Sequence, residues 1–360
     1  MTEIARTHGQ PAPMQQPVKG ETNRLHLTKK DYEGSESTLC RGCGHDAITA
    51  SIITACYELA IDPKQVIKVS GIGCSSKTTN YFMNQSFGFN STHGRMAALA
   101  TGAALANRHL IPIGVSGDGD TAAIGLGNFA HMIRRNLNIA YIVENNGVYG
   151  LTKGQFSATA DKGSRTKRGL ENPLPAVDIP SLAILMGATF VARSFSGDRK
   201  QLAPLIKAAL KHRGTAILDV LSPCVTFADH EGSTKSLRNI RDNRDPLNEV
   251  DFLDLIPGPA SMTADYADGD DFRVAMHGGG LVTLHKLKDH DPTNRLRAMS
   301  LLHESAEQHK FLTGLIFVDE SQPDLAELEE LSDTPLSWLT EAELRPPKTA
   351  LDAINAALMK

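Results

Sequence analysis

Two short polar motifs, one structural unit apart, are candidates for holding a divalent cation. Gly117-Asp118-Gly119-Asp120 follows one apolar stretch, and Asn145-Asn146 follows the next. A strand, a crossover helix and a second parallel strand take about 30 residues, and Asp118 and Asn146 are 28 positions apart. The two motifs should therefore meet at the carboxyl edge of neighbouring parallel strands. Carboxylate and amide oxygens suit Mg²⁺, which usually takes further ligands from phosphates and water.

The two glycines of the first motif extend this interpretation. Gly117 and Gly119 would let the backbone approach a diphosphate at the start of a helix that opens at Thr121. Alone, Gly-Asp-Gly is equally typical of an ordinary turn. Its pairing with Asn145-Asn146 one unit later favours the functional interpretation.

The five cysteines suggest a second site. Cys40 and Cys43 have a spacing at which one turn can aim two thiolates at a metal. Cys74 and Cys224 each follow a predicted strand, on the same sheet edge as the acidic motif. Four thiolates could hold structural zinc, but single ligands scattered beside a cofactor edge favour a 4Fe-4S cluster. Cys56 lies on the apolar face of a predicted helix, which indicates a buried, inert thiol.

Short apolar strands alternating with amphipathic helices must position these residues. From Cys40 to about Pro223 this alternation predicts an α/β fold with a doubly wound parallel sheet. The predicted strands are 65–70, 109–116, 137–144, 189–193 and 215–221. The predicted helices are 46–60, 93–108 and one whose buried stripe is Leu126, Phe129, Ala130 and Ile133.

Length and composition exclude several classes of protein. At about 150 residues per domain, 360 residues predict roughly two domains. The net charge of −4, from 37 basic and 41 acidic residues, does not indicate the basic surface with which proteins bind nucleic acid or an anionic membrane. The sequence has no long apolar run and no apolar leader segment, so we expect a cytoplasmic protein without a membrane span.

The motifs, in this order, resemble the β subunits of the 2-oxoacid:ferredoxin oxidoreductases, which are thiamine diphosphate enzymes. The resemblance covers about residues 38–232. It rests on Cys-x₂-Cys, Ile-Gly-Cys-Ser, Gly-Asp-Gly-Asp, Asn-Asn-x-Val-Tyr-Gly-Leu-Thr-Lys-Gly-Gln and Ser-Pro-Cys. It implies a sheet of the thiamine-diphosphate-binding type over residues 39–232. Residues 1–38 would form an N-terminal arm, either disordered or wrapped around a partner, and residues 233–360 a C-terminal extension at a candidate subunit interface.

The resemblance also implies which residues hold the cofactors. One 4Fe-4S cluster would be bound by Cys40, Cys43, Cys74 and Cys224. Mg²⁺ would be bound by Asp118, Asn146 and the backbone carbonyl of Val148. Thiamine diphosphate would contact Ile72, Gly73, Cys74, Ser75, His93, Gly117, Gly119, Asp120, Asn146, Gly150, Leu151 and Thr152.

Two further residues are catalytic candidates. Lys77 could bind the substrate carboxylate, and His93 could face the thiazolium ring. A solvated lysine and a structural histidine are the respective alternatives.

The reaction implied is oxidative decarboxylation of a 2-oxoacid with coenzyme A, giving an acyl-CoA and CO₂, with electrons passing singly through the cluster to ferredoxin. The sequence has no recognisable pyrimidine domain. We therefore expect an α subunit that supplies this domain and its activating carboxylate, in an αβ or (αβ)₂ assembly.

The stretch Asp229-His230-Glu231-Gly232-Ser233 and the long region after it favour 2-oxoglutarate over pyruvate or another 2-oxoacid. A non-redox thiamine diphosphate enzyme is one alternative, but it would not require the four candidate ligands Cys40, Cys43, Cys74 and Cys224. A zinc-stabilised, Mg²⁺-dependent nucleotide-binding module is the other alternative, but the sequence has neither a P-loop nor a dinucleotide fingerprint.

Overall fold

The computed structural model describes residues 22–254 and 271–359. Residues 1–21 of the expected arm, and residues 255–270 and 360 of the expected extension, lie outside this part of the chain. Within the arm, residues 22–38 pack on the body of the protein: Tyr32 is fully buried, and Arg24 forms an ion pair with Asp254. The division into arm, domain and extension stays a prediction.

A mostly parallel sheet of eight strands forms the centre of the described structure. Numbered along the chain, all strands are β1 (Val66–Ser70), β2 (Phe87–Asn90), β3 (Ile111–Gly117), β4 (Ile139–Asn145), β5 (Val148–Tyr149), β6 (Gln155–Phe156), β7 (Phe190–Phe195), β8 (Thr215–Leu221), β9 (Arg244–Pro246), β10 (Asn248–Leu253), β11 (Asp271–Ala275), β12 (Leu281–Lys286) and β13 (Phe311–Val318). The central sheet has the order β2-β1-β3-β4-β8-β7-β13-β9, and only the β7–β13 pair is antiparallel. The expected parallel α/β sheet is confirmed, with two reversed strands, β13 and β9, at one edge.

Helices cover both faces of this sheet. They are α1 (Gly44–Glu58), α2 (Met96–Ala106), α3 (Leu126–Arg134), α4 (Ile179–Met186), α5 (Arg199–Lys211), α6 (Leu237–Asn243), α7 (Arg295–Glu307), α8 (Leu325–Leu328), α9 (Glu341–Leu344) and α10 (Lys348–Leu358). Apolar side chains of α1 and α5 form one core layer, and those of α2, α3, α4 and α7 form the other. The doubly wound arrangement is therefore confirmed. No helix in the described ranges is long and apolar enough to cross a membrane.

The predicted helical faces agree with the structure except at one place. Cys56 is completely buried on α1, as expected. The predicted stripe on α3 is wrong at Leu126, which is 38% exposed, and Ala130 is only partly buried. A π-helical turn over Asp120–Ile124 precedes α3, and Leu126 is the first residue of the helix after it. Phe129, Met132 and Ile133 form the buried face instead.

The region after residue 232 shares the core of the cofactor-binding region. Strand β13 pairs with β7 and β9 in the central sheet. Strands β10, β12 and β11 form a separate antiparallel sheet, whose Val250, Val282 and Leu284 pack in the same core layer as α1 and α5. The later sequence therefore completes the sheet that positions the motifs.

Candidate cofactor site

A cleft opens at the carboxyl edge of β1, β3 and β4. Open α/β sheets bind ligands at this edge. Every residue expected to contact the cofactor lines the cleft, as do the three expected Mg²⁺ ligands. The lining includes Ile72, Gly73, Cys74, Ser75, His93, Gly117, Asp118, Gly119, Asp120, Asn146, Val148, Gly150, Leu151 and Thr152. The structure thus brings these residues together, and their individual roles stay predictions.

The acidic and amide motifs meet as their spacing predicts. Strands β3 and β4 are parallel neighbours, with Gly117 opposite Glu144 at their ends. The backbone N–H of Asn146 donates to Asp118 Oδ1 at 3.3 Å. The Asn146 side-chain oxygen accepts from the backbone N–H of Val148 at 3.0 Å, which closes a tight turn after β4.

The Asp118 carboxyl group is buried, with polar contacts on both of its oxygens. Its Oδ2 accepts from Thr159 Oγ1 at 2.6 Å and from the hydroxyl of Ser157. Burial raises the pKa of Asp118, although these hydrogen bonds oppose the shift. A divalent cation beside Asp118 would stabilise the ionised carboxylate, and an oxygen-only donor set is what Mg²⁺ prefers. The residues at this turn therefore fit Mg²⁺.

A polar chain behind Asp118 extends into the sheet. Thr159 Oγ1 also lies 2.8 Å from Asn145 Oδ1, and Asn145 Nδ2 donates to Asp219 Oδ1 at 2.9 Å. Arg193 Nε donates to the other oxygen of Asp219 at 2.8 Å. Asn145 thus belongs to this series of hydrogen bonds, while Asn146 lines the cleft. The sequence prediction missed Thr159, Asp219 and Arg193.

Asp120 connects the motif to the loop that carries His93. Its Oδ1 accepts from the backbone N–H of Gly94 at 2.8 Å, and its Oδ2 accepts from Ser116 Oγ at 3.1 Å. Gly119 is in close contact with Tyr149, since an added Cβ would lie 2.4 Å from the tyrosine ring. The backbone at the end of β3 is therefore held from both sides.

Two buried titratable residues in the cleft wall were missed by the sequence prediction. Both oxygens of Glu144 lie 3.0 Å from Thr78 Oγ1. His45 Nδ1 lies 2.7 Å from Ser222 Oγ and 3.6 Å from Glu144 Oε2. Burial raises the pKa of Glu144 well above its usual value and lowers the pKa of His45 to about 4. His45 is therefore neutral near pH 7, and burial disfavours the charged form of Glu144. An acidic residue at the end of the otherwise apolar strand β4 was the available signal.

The four expected cluster cysteines gather beside the cleft as free thiols. A Cβ built on Gly150 would lie 3.4 Å from Cys74 Sγ and 3.8 Å from Cys224 Sγ, which places these two sulfurs around one glycine. Thr226, two residues after Cys224, lies 3.5 Å from Cys40 Sγ through its hydroxyl. Burial raises the pKa of Cys43 to about 12 and also raises that of Cys74.

The arrangement of these thiols bears on which metal they fit. Within residues 22–254 and 271–359, no three His, Cys, Asp or Glu side chains are grouped to hold a single metal ion. Zinc needs its sulfurs about 2.3 Å from one point. A cubane cluster presents four irons at separate corners, so its cysteine sulfurs stand farther apart. The four cysteines therefore stay a predicted ligand set, and the choice between the cluster and zinc stays a prediction.

The two catalytic candidates lie in different places. His93 is exposed and lines the cleft. Lys77 lies on the 3₁₀ turn Ser75–Asn80, outside the cleft lining, with Nζ donating to Thr38 Oγ1 at 3.3 Å. The structure does not bring Lys77 to the cleft with the other residues, and both catalytic roles stay predictions.

Comparisons with known proteins agree on one group of enzymes. The family model of the C-terminal binding domain of thiamine pyrophosphate enzymes matches residues 71–220. A 2-oxoacid:ferredoxin oxidoreductase subunit beta of Sulfolobus sp is 46% identical over 53% of this chain and 63% of that protein. A 2-oxoglutarate synthase subunit KorB of Methanothermobacter thermautotrophicus is 37% identical over 61% of this chain and 77% of that protein. The chain spans about three fifths of the length of the first curated relatives.

A solved structure shows the same architecture. It is described as 2-oxoglutarate:ferredoxin oxidoreductase from Magnetococcus marinus with 2-oxoglutarate, coenzyme A and succinyl-CoA bound. The similarity has a TM-score of 0.68 and 31% sequence identity, and it covers 87% of this chain and 93% of that chain. The similarity therefore extends over most of both chains.

Proposed function

This chain belongs to the family of 2-oxoacid:ferredoxin oxidoreductase β subunits, and we propose that it is the cofactor-binding subunit of a 2-oxoglutarate:ferredoxin oxidoreductase. In this proposal 2-oxoglutarate and coenzyme A give succinyl-CoA and CO₂, and two electrons leave singly to ferredoxin. The reaction is reversible in principle. The observation that carries the proposal is the meeting of the expected diphosphate and cysteine residues at one sheet edge.

Two of the comparisons support 2-oxoglutarate as the substrate. Relatives named 2-oxoglutarate synthase match this chain, and the solved structure contains 2-oxoglutarate. The Sulfolobus relative has the higher identity but a name that specifies only a 2-oxoacid. Pyruvate or another 2-oxoacid is therefore the second candidate.

Thiamine diphosphate, when bound, supplies the nucleophilic carbon and the electron sink that decarboxylation requires. In the proposal Asp118, Asn146 and the Val148 carbonyl hold Mg²⁺ against its diphosphate. Burial disfavours the charged form of Glu144, and His45 beside it is neutral, so both residues limit the charge in the cleft wall.

The cysteine set provides the electron exit in this proposal. Cys40, Cys43, Cys74 and Cys224 hold one 4Fe-4S cluster, which leaves Cys56 as the fifth cysteine, in the core. The sequence carries no second set of thiols for another cluster. Electrons therefore leave this chain for an external carrier, proposed to be ferredoxin.

The relatives are named as β or KorB subunits, which implies an α partner. We propose that the partner supplies the pyrimidine domain and its activating carboxylate, in an αβ or (αβ)₂ assembly. The cytoplasmic location stays a prediction.

Anaerobic co-expression with the α subunit tests the proposal. The complex should be brown, contain about four irons per β chain, and reduce a viologen dye with coenzyme A and 2-oxoglutarate. Colourless, zinc-containing protein would overturn the cluster assignment, and turnover with pyruvate alone would overturn the substrate assignment. Full activity of the isolated chain would contradict the need for an α subunit.

A further inference from the structure

The turn that carries His93 packs against the start of α3 through two glycines. Gly94 has a φ of +66°, and a Cβ built on it would lie 2.6 Å from the backbone N of Gly125. A Cβ built on Gly125 would lie 3.0 Å from the Gly94 carbonyl oxygen and 2.6 Å from that of Asp120. The His93 turn therefore touches the start of α3 backbone to backbone, an approach that glycine permits.

The π-helical turn before α3 forms the surface on which Gly94 packs. The Gly125 backbone N–H donates to the Asp120 carbonyl at 2.8 Å, which closes a turn one residue wider than an α-helical turn. Such turns occur frequently at functional sites, and this one begins at Asp120, which lines the cofactor cleft. The widened turn and the His93 turn therefore form one structural unit beside the cleft.

Two side chains bind the backbone of Gly94, the residue directly after His93. Asp120 Oδ1 accepts from its N–H at 2.8 Å. Asn128, a half-buried residue in the first turn of α3, donates from Nδ2 to its carbonyl at 3.0 Å. Arg95 Nη1 reaches the same carbonyl only at 3.4 Å. Both polar groups of this residue are therefore fixed by the unit that contains the π-helical turn.

The chain before His93 is fixed at the end of β1. The backbone N–H and the hydroxyl of Ser91 both donate to the Ser70 carbonyl at 2.9 Å. His93 lies between this attachment and Gly94, and its exposed side chain lines the cleft. Because the backbone is bound on both sides of His93, the hydrogen bonds of the turn determine where the imidazole ring lies.

We propose that Asn128 is a positioning residue, which holds the His93 turn so that the imidazole ring stays in the wall of the cofactor cleft. The inference rests on the proposed function, in which His93 faces the thiazolium ring of thiamine diphosphate. Asn128 is not one of the described residues that line the cleft, so it acts on the cofactor through the turn. Positioning of this kind matters because a misplacement of about 1 Å can lower a rate about 100-fold.

The substitution N128D tests this role. Aspartate has the shape of asparagine but no N–H group to donate to the Gly94 carbonyl. Position 128 lies in the first turn of α3, where an acidic side chain is favourable to the helix, so N128D should fold. N128A, which also lacks the donor, is the second variant. The matched control is N138D, because Asn138 is exposed and directly precedes β4, at the opposite edge of the sheet from the cleft.

The experiment measures two quantities on the αβ complex: the affinity for thiamine diphosphate by calorimetry, and kcat by viologen reduction with 2-oxoglutarate and coenzyme A. We expect N128D and N128A to lower one or both about 3- to 10-fold, which is the effect of one hydrogen bond, and N138D to match the wild type. Each substitution is also combined with H93A. In that background the Asn128 substitutions should change neither quantity by more than about twofold, because the positioned group is absent.

Three outcomes would overturn the proposal. Equal losses with and without H93A would mean that Asn128 is merely structural. Wild-type values in both N128D and N128A would show that the hydrogen bond positions nothing. An H93A complex with wild-type affinity and kcat would leave no group to position. Cofactor affinity is measured without 2-oxoglutarate, so a wild-type complex that binds the cofactor but does not turn over this substrate refutes the proposed reaction alone, and the affinities still test Asn128.

Discussion

Replacing Thr159 by valine is the sharpest perturbation of the proposed Mg²⁺ site. Valine keeps the branched shape but removes the hydroxyl that lies 2.6 Å from Asp118 Oδ2 and 2.8 Å from Asn145 Oδ1. Ser157 still donates to the same carboxylate oxygen, so Asp118 stays in place but is held less firmly. The substitution therefore tests how well the ligand is positioned, not whether it is present.

The expected size of the effect comes from two contributions. Loss of an outer hydrogen bond to a metal ligand typically weakens metal binding about 10- to 100-fold, which corresponds to about 1.4–2.7 kcal/mol. The hydroxyl has a single proton, which serves either Asp118 Oδ2 or Asn145 Oδ1, so its removal costs folding one buried hydrogen bond, about 1–3 kcal/mol. We therefore expect T159V to fold with reduced stability and to need about 10- to 100-fold more Mg²⁺ for half-maximal cofactor binding.

The assay is Mg²⁺-dependent binding of thiamine diphosphate to the αβ complex, followed by intrinsic fluorescence or calorimetry. T159S restores the hydroxyl and should return most of the affinity. T283V is the matched control, because Thr283 lies on β12 in the separate small sheet. A folded T159V complex with Mg²⁺ affinity within twofold of the wild type would refute the positioning argument. So would a T159S complex as weak as T159V.

Three further predictions address stability and the cysteine set. Burial lowers the pKa of His290, so this residue binds a proton less readily in the folded state than in the unfolded state. Its contribution to the free energy of unfolding is complete above the unfolded pKa of about 6.5 and is lost as the pH falls below that value. Denaturant unfolding should therefore show a smaller loss of stability at acidic pH for H290Q than for the wild type. R193M would leave the buried Asp219 carboxylate without its cation and should lower the free energy of unfolding by about 3–5 kcal/mol. R165M removes an exposed ion pair and should lower it by at most about 1 kcal/mol in the same denaturant unfolding experiment. C74A should abolish the 4Fe-4S electron paramagnetic resonance signal of the reduced complex, while C56A should retain it with lowered stability; an unchanged signal in C74A would contradict the ligand assignment.

The part of the site that could be predicted from sequence consists of residues at strand ends. Parallel strands present their carboxyl ends on one edge, so Asp118 and Asn146 had to meet once β3 and β4 were neighbours. Periodicity likewise identified Cys56 as a core residue. In each case the pattern is local, and the geometry of one element or one βαβ unit determines the outcome.

The missed residues depend on the order of strands, which no local pattern contains. Asp219 lies 74 positions after Asn145 but bonds to it because β8 is inserted beside β4, ahead of β7. Thr159 lies in irregular chain 41 positions after Asp118. The reversed strand β13 and the π-helical turn before α3 are also tertiary outcomes, since apolar patterning specifies neither strand direction nor a single widened turn.

The same strand order explains why the proposed thiamine diphosphate site and the proposed cluster site are adjacent. Because β8 lies beside β4, the Ser222-Pro223-Cys224 segment begins next to the Asn145-Asn146 turn. There the backbone N–H of Ser222 donates to the Asn145 carbonyl at 2.8 Å. Cys74, which follows β1, lines the cofactor cleft, and Gly150 lies between its sulfur and that of Cys224. One residue thus belongs to both sites. In the proposed function an electron leaving the cofactor would reach a cluster ligand directly, without a further relay within this chain.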